Sequence, residues 1–135
     1  MFFLLTYAAA ILLADQSSKW AAQKGLSEPF SLGPFRLIEV RHCARFYQPT
    51  FCRSAMLLIW CLALLSAGWL HGSGLGLQSP VAVLGVGCAL GGAAGNLTDI
   101  FRQQYIVDFI DLRWWPVFNL ADVAIVAGLA LAFLR

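Results

Sequence analysis

Four apolar runs dominate the chain: Phe2 to Ala22, Ser54 to Leu70, Val81 to Thr98 and Phe118 to Leu134. Each approaches the ~20 residues that cross ~30 Å of hydrocarbon at 1.5 Å per residue, so four transmembrane helices are expected. Between Ser54 and Thr98 there is no Asp, Glu, Lys or Arg. The turn-rich "HGSGLGLQSP" joins the second and third runs, and Pro80 suits a first helical turn. Within the larger extramembrane segment, about 25–51, "FRLIEVR" at 35–41 predicts a short strand. The other extramembrane segment covers about 100–117. Gly87, Gly91 and Gly95 recur every four residues, a smooth stripe for close helix packing.

Composition agrees with this pattern. Of the 135 residues 60% are hydrophobic and 12% charged, against roughly 25% charged in an average soluble domain. The expected product is one transmembrane domain over 1–135. A net charge of +2 gives no support for nucleic-acid binding. Cys61 and Cys88 fall inside apolar runs and read as small apolar residues. Cys43 and Cys52 share a loop and could pair in an oxidising compartment.

Polar residues interrupt the runs at one end only. Asp15 and Lys19 stand four apart, in the acid-first order favoured on a helix. "GNLTD" at 95–99 and "FNLAD" at 118–122 repeat Asn-Leu-x-Asp, placing Asn96 with Asp99 and Asn119 with Asp122 at helix ends. Consecutive spans run antiparallel, so all these groups gather at one membrane surface. Ionisable groups at membrane depth cost ~2.5–3.5 kcal/mol and tend to face protein or a wet cavity.

Asp99, Asp108, Asp111 and Asp122 are the candidates for chemistry. Two carboxyls sharing a partly buried site do not both ionise cheaply, so one can activate water while the other protonates a leaving group. Spacing alone does not choose the pair. It equally leaves open a small proton-coupled carrier using intramembrane acids. A two-histidine metal site is not expected, because His42 and His71 belong to opposite membrane sides.

"DQSSK" (15–19), "GGAAGNLTD" (91–99), "YIVDF" (105–109) and "FNLADVAIVAG" (118–128) together resemble the lipoprotein signal peptidase family, signal peptidase II. The match covers nearly the whole chain in order. The resemblance implies an all-α membrane protein: four transmembrane helices with a small extracytoplasmic β-rich cradle and a short helix over the site. It implies a membrane aspartic endopeptidase that removes the signal peptide of prolipoproteins just before the diacylglyceryl-modified cysteine. By the same resemblance Asp108 and Asp122 form the catalytic dyad. Asp15, Lys19, Asn96, Asp99 and Asn119 are its supporting polar residues, and no metal or cofactor is required. Asp111, one helical turn after Asp108, reads as a solvated or structural acid. The expected partners are diacylglyceryl-prolipoprotein substrates and membrane lipids, and the expected state is a monomer in the bacterial inner membrane with its site facing outward.

The chain departs from the family pattern in two places. Ile100 stands where the family has Arg after the first Asn-x-x-Asp, with Arg102 nearby on a different face. "VRHCARFYQ" at 40–48 replaces an Asn-x-Gly-Ala-Ala-Phe type block. These departures motivate a catalytically impaired relative that binds lipoprotein precursors or inhibitors as a second reading. Charge points the other way on orientation. Eight of nine basic residues fall in or beside 15–53 and 99–117, which the positive-inside rule would place in the cytoplasm; the ordered motifs place them outside.

Overall fold

The computed structural model describes residues 2–25, 29–33, 35–42, 61, 65 and 79–133. Helix α1 spans Phe2–Gly25, α2 Pro80–Gln103 and α3 Leu120–Phe133. Strands β1 (Phe30–Leu32), β2 (Phe35–His42) and β3 (Ile106–Asp111) form one antiparallel sheet in the order β1-β2-β3. Apart from Cys61 and Leu65, the expected second span, 54–70, lies outside the described residues, as do Cys43, Cys52, His71 and the altered block beyond His42.

Helix α2 is the central element, packed on one side by α1 and on the other by α3. Its start follows from local chemistry. Pro80 at the first helical position has no N–H to leave unsatisfied, and Ser79 caps Val81 N–H at 3.2 Å. Its end is a left-handed residue, Gln104 (φ 66°), whose N–H reaches back to the Ile100 carbonyl at 3.2 Å. At 24 residues and about 1.5 Å per residue it reaches ~36 Å, and it is long and apolar enough to cross a membrane. The apolar stretch Leu120–Ala132 is shorter.

Two glycine stripes bring the helices together. Gly87, Gly91 and Gly95 face α1: a methyl at Gly91 would lie 2.5 Å from the Ala8 carbonyl oxygen, and one at Gly95 would collide with the Asp15 carboxylate. This is the stripe legible in the sequence. A second stripe, Gly85 and Gly92, faces α3, where Gly128 returns the approach: a methyl on Gly85 or Gly128 would sit 2.5 Å from the other's carbonyl oxygen. Such contact lets backbone meet backbone, the usual way helices associate without a hydrophobic drive between them. Leu4, Ala82 and Leu90 fill the apolar contact of α1 with α2, while Phe2, Phe3, Leu5, Val126 and Leu129 point outward.

The strand expected at 35–41 is β2, one residue longer. Residues 106–111 correct an expectation. Asp111 reads from the sequence as one helical turn after Asp108; instead "IVDFID" is β3. Its β-branched and aromatic residues favour a pleated, half-buried surface. In a strand, positions three apart face opposite sides, so Asp108 and Asp111 part company. The fold is therefore not purely helical: a three-stranded sheet crowns the end where α1 and α2 finish and α3 begins.

Candidate active site

Asp108 sits in β3, opposite Val40 of β2, and is 5% exposed. Beyond β3 the chain turns through 112–117 and comes back. Phe118 N–H donates to the Ile110 carbonyl at 3.1 Å, and the Phe118 carbonyl accepts from Phe109 and Ile110 at 3.1 and 2.9 Å. This return sets Asn119 beside Asp108. Asp111 shapes the turn, its Oδ1 accepting from Arg113 N–H at 2.7 Å, which holds Arg113 at φ 67°. It is the structural acid that the sequence suggested.

Asn119 opens α3 with a reciprocal cap. Its Oδ1 accepts from Asp122 N–H at 3.0 Å, and its own N–H donates to Asp122 Oδ2 at 3.2 Å. This is a capping box with Asn and Asp in place of the usual Ser and Glu. The Asn119 side-chain amide is fully buried. Its nitrogen donates to Asp108 Oδ1 at 2.6 Å, with the Val107 carbonyl at 3.2 Å and Asn96 Oδ1 at 3.1 Å also in reach. One residue thus ties both candidate acids, Asp108 by its side chain and Asp122 by its backbone.

Behind this pair lies a buried polar knot between α1 and α2. Lys19 Nζ, 2% exposed as a residue, meets Asp15 Oδ2 and Asp99 Oδ2 at 2.8 Å each and Asn96 Oδ1 at 2.9 Å. Its three donors are all used. Asn96 passes the connection on, donating from Nδ2 to Asp122 Oδ1 at 2.9 Å. Asp99 Oδ2 also accepts from Val107 N–H, next to Asp108, at 3.3 Å. Asp15 Oδ1 accepts from Ala121 N–H at 3.0 Å, so a side chain of α1 caps the start of α3.

All seven residues expected at the site therefore belong to one network: Asp15, Lys19, Asn96, Asp99, Asp108, Asn119 and Asp122. Gln16 is an additional member. Its Nε2 lies 3.0 Å from Asp99 Oδ1, 3.2 Å from the Gly95 carbonyl and 3.3 Å from Asp15 Oδ2. The sequence carries a signal for it, since Gln16 lies within the polar "DQSSK" block, one helical turn before Lys19. Ile100, in the place of the family's arginine, is 1% exposed and forms part of the apolar core.

A family model described as signal peptidase (SPase) II matches residues 7–135. The chain belongs to the signal peptidase II family. A lipoprotein signal peptidase of Pelotomaculum thermopropionicum is 38% identical over 131 residues, covering 93% of this chain and 86% of that protein. One from Nitratidesulfovibrio vulgaris is 30% identical over 148 residues, covering 96% and 86%. The fold is similar to two bacterial membrane enzymes solved by the in meso method. One has a TM-score of 0.77 at 19% identity, covering 97% of this chain and 85% of that one; the other scores 0.79 at 17% identity, covering 97% and 90%. As a member of the signal peptidase II family the chain is a membrane-embedded peptidase.

Proposed function

We propose that Asp108 and Asp122 are the catalytic pair of an aspartic endopeptidase that cuts diacylglyceryl-prolipoproteins just before the lipidated cysteine. The observation that carries this reading is Asn119, which holds both carboxyls within one set of hydrogen bonds at the start of α3.

The charge balance of the cluster suits such a pair. Asp15 and Asp99 share the ammonium of Lys19, while Asp122 and Asp108 join the cluster through Asn96 and Asn119. Lys19 spends its three donors on Asp15, Asp99 and Asn96, outside the proposed pair of Asp108 and Asp122. Holding one proton between them lowers the repulsion, and the pair acts as a unit. In the reaction one carboxylate takes a proton from water as the oxygen attacks the scissile carbonyl carbon. The other carboxylic acid protonates the departing amine as the C–N bond breaks. Water is split between the two products, and two carboxyls suffice for both proton transfers.

We further infer that the chain works as a monomer with its single domain in the bacterial inner membrane and the sheet end facing outward. Exposed Trp114 and Trp115, packed edge to face at 5.9 Å, suit the lipid–water boundary there. Tag accessibility at Arg36 tests the orientation: labelling from the outside is expected, and labelling from the cytoplasm alone overturns it. The activity is tested by rescue of prolipoprotein processing in cells depleted of their own peptidase. The wild type is expected to restore processing, and Asp108→Asn and Asp122→Asn are expected to fail. Processing retained by either variant rejects the assignment.

A further inference from the structure

Beside the polar knot, and lined by neither Asp108 nor Asp122, a cavity of about 170 Å³ opens between the C-terminal ends of α1 and α2. We propose that it is a headgroup site for a phosphate ester of glycerol, taken from an anionic glycerophospholipid of the surrounding membrane.

Its donors argue for an anion. Arg102 and Trp20 line the cavity, and among the described residues neither makes a hydrogen bond or an ion pair. The guanidinium offers a planar fork suited to two phosphate oxygens, and the indole offers one further N–H. Gln23 and Gln103 close the mouth, joined at 3.2 Å from Gln23 Nε2 to Gln103 Oε1, which leaves the Gln103 amide group able to donate.

The carboxylate on the wall is already occupied. Asp99 Oδ1 accepts from Gln16, and its Oδ2 accepts from Lys19 and Val107. Lys24 lies 4.6 Å over the Trp20 ring and adds a further cation beside that residue. Among the lining residues one negative charge, Asp99, stands against two positive ones, Lys19 and Arg102, a net of +1.

Position and size decide the source. Trp20 is 60% exposed at the end of a helix whose outward face is apolar, where an indole and a lysine mark the membrane boundary. Pockets for drug-sized ligands run from roughly 300 Å³ upward, so this one fits a headgroup rather than a peptide segment. The acyl chains of a lipid bound here would run down the apolar outer surface of α1.

The full-length protein, purified in detergent, is offered equal amounts of phosphatidylglycerol and phosphatidylcholine, and retained lipid is counted by native mass spectrometry. A parallel arm offers soluble glycerol 3-phosphate. The wild type is expected to favour phosphatidylglycerol. Arg102→Gln is expected to lower its retention by roughly tenfold, the loss of one charge-assisted contact, and Trp20→Phe by less. Arg102→Lys is expected to restore part of it. All three variants are expected to keep the wild-type melting temperature and precursor cleavage in phosphatidylcholine, which separates this site from the dyad. Retention unchanged by Arg102→Gln overturns the proposal. So does a loss matched by a fall in melting temperature, which would leave Arg102 only a helix-end role. Glycerol 3-phosphate binding that matches the lipid and depends on Arg102 overturns the lipid source.

Discussion

The same four-residue pattern, Asn-Leu-x-Asp, ends α2 and begins α3, and the two copies do different work. At 96–99 both side chains turn to the neighbouring helix, where Lys19 binds Asn96 and Asp99 together. At 119–122 both turn on their own backbone, each side chain capping the other residue's N–H. The first copy sits where helical N–H groups are already used, so its side chains are free to stitch helices. The second sits where the first N–H groups of a helix lack partners. Capping there holds Asp122 at the mouth of the helix with one oxygen still reached by Asn96. A motif's chemistry is thus set by which end of a helix it occupies.

The sharpest test of that difference perturbs the contacts of each copy in turn. Asp122→Asn is expected to cut cleavage of a lipidated precursor by at least ~10³-fold, within the range for positioned acid–base groups, with helical circular dichroism unchanged. Asp108→Asn is expected to match it, since the two act together. Breaking the first copy should instead be felt in stability. Lys19→Met leaves Asp15 and Asp99 buried without their cation and is expected to cost about 3–5 kcal/mol in unfolding experiments in detergent. A Lys19→Met protein as stable as the wild type would remove the stitching role.

Smaller changes sharpen the contrast. Asn119→Ser keeps a competent helix cap but removes the amide that reaches Asp108. Cleavage should fall by about 10–100-fold, the worth of one hydrogen bond to a charged group, measured as kcat/KM. Equal activity would mean the amide does not hold the dyad. At the bottom of the scale, Asp111→Asn can still accept from Arg113 N–H and is expected to stay within about 0.5 kcal/mol of wild type with full activity.

Much of this was legible in sequence because local rules act over a few residues. Pro80 marked a helix start, 35–41 a strand, and Gly87, Gly91 and Gly95 a packing face. The expected site residues do converge, since apolar runs of similar length return polar ends to one surface. What escaped were contacts that span the chain or depend on strand pairing. Nothing near Asp15 signals that it caps Ala121, and nothing near Gly85 signals Gly128. Residues 106–111 carry two aspartates among apolar residues, a spacing that suits a helix as readily as a strand; pairing with β2 decides it. The positive charges still run against the outward orientation proposed above, and Arg102 and Lys24 beside a headgroup-sized cavity give two of them a reason to be there.

The bond from Ala121 N–H to Asp15 joins positions 106 residues apart. A ribosome releases the first helix long before the last, so a chain still lacking its final segment has neither Asp122 nor the contact that seats it. On the proposed assignment of Asp122, hydrolytic power arrives only when insertion is finished, and an incompletely threaded copy cannot nick its neighbours in the bilayer.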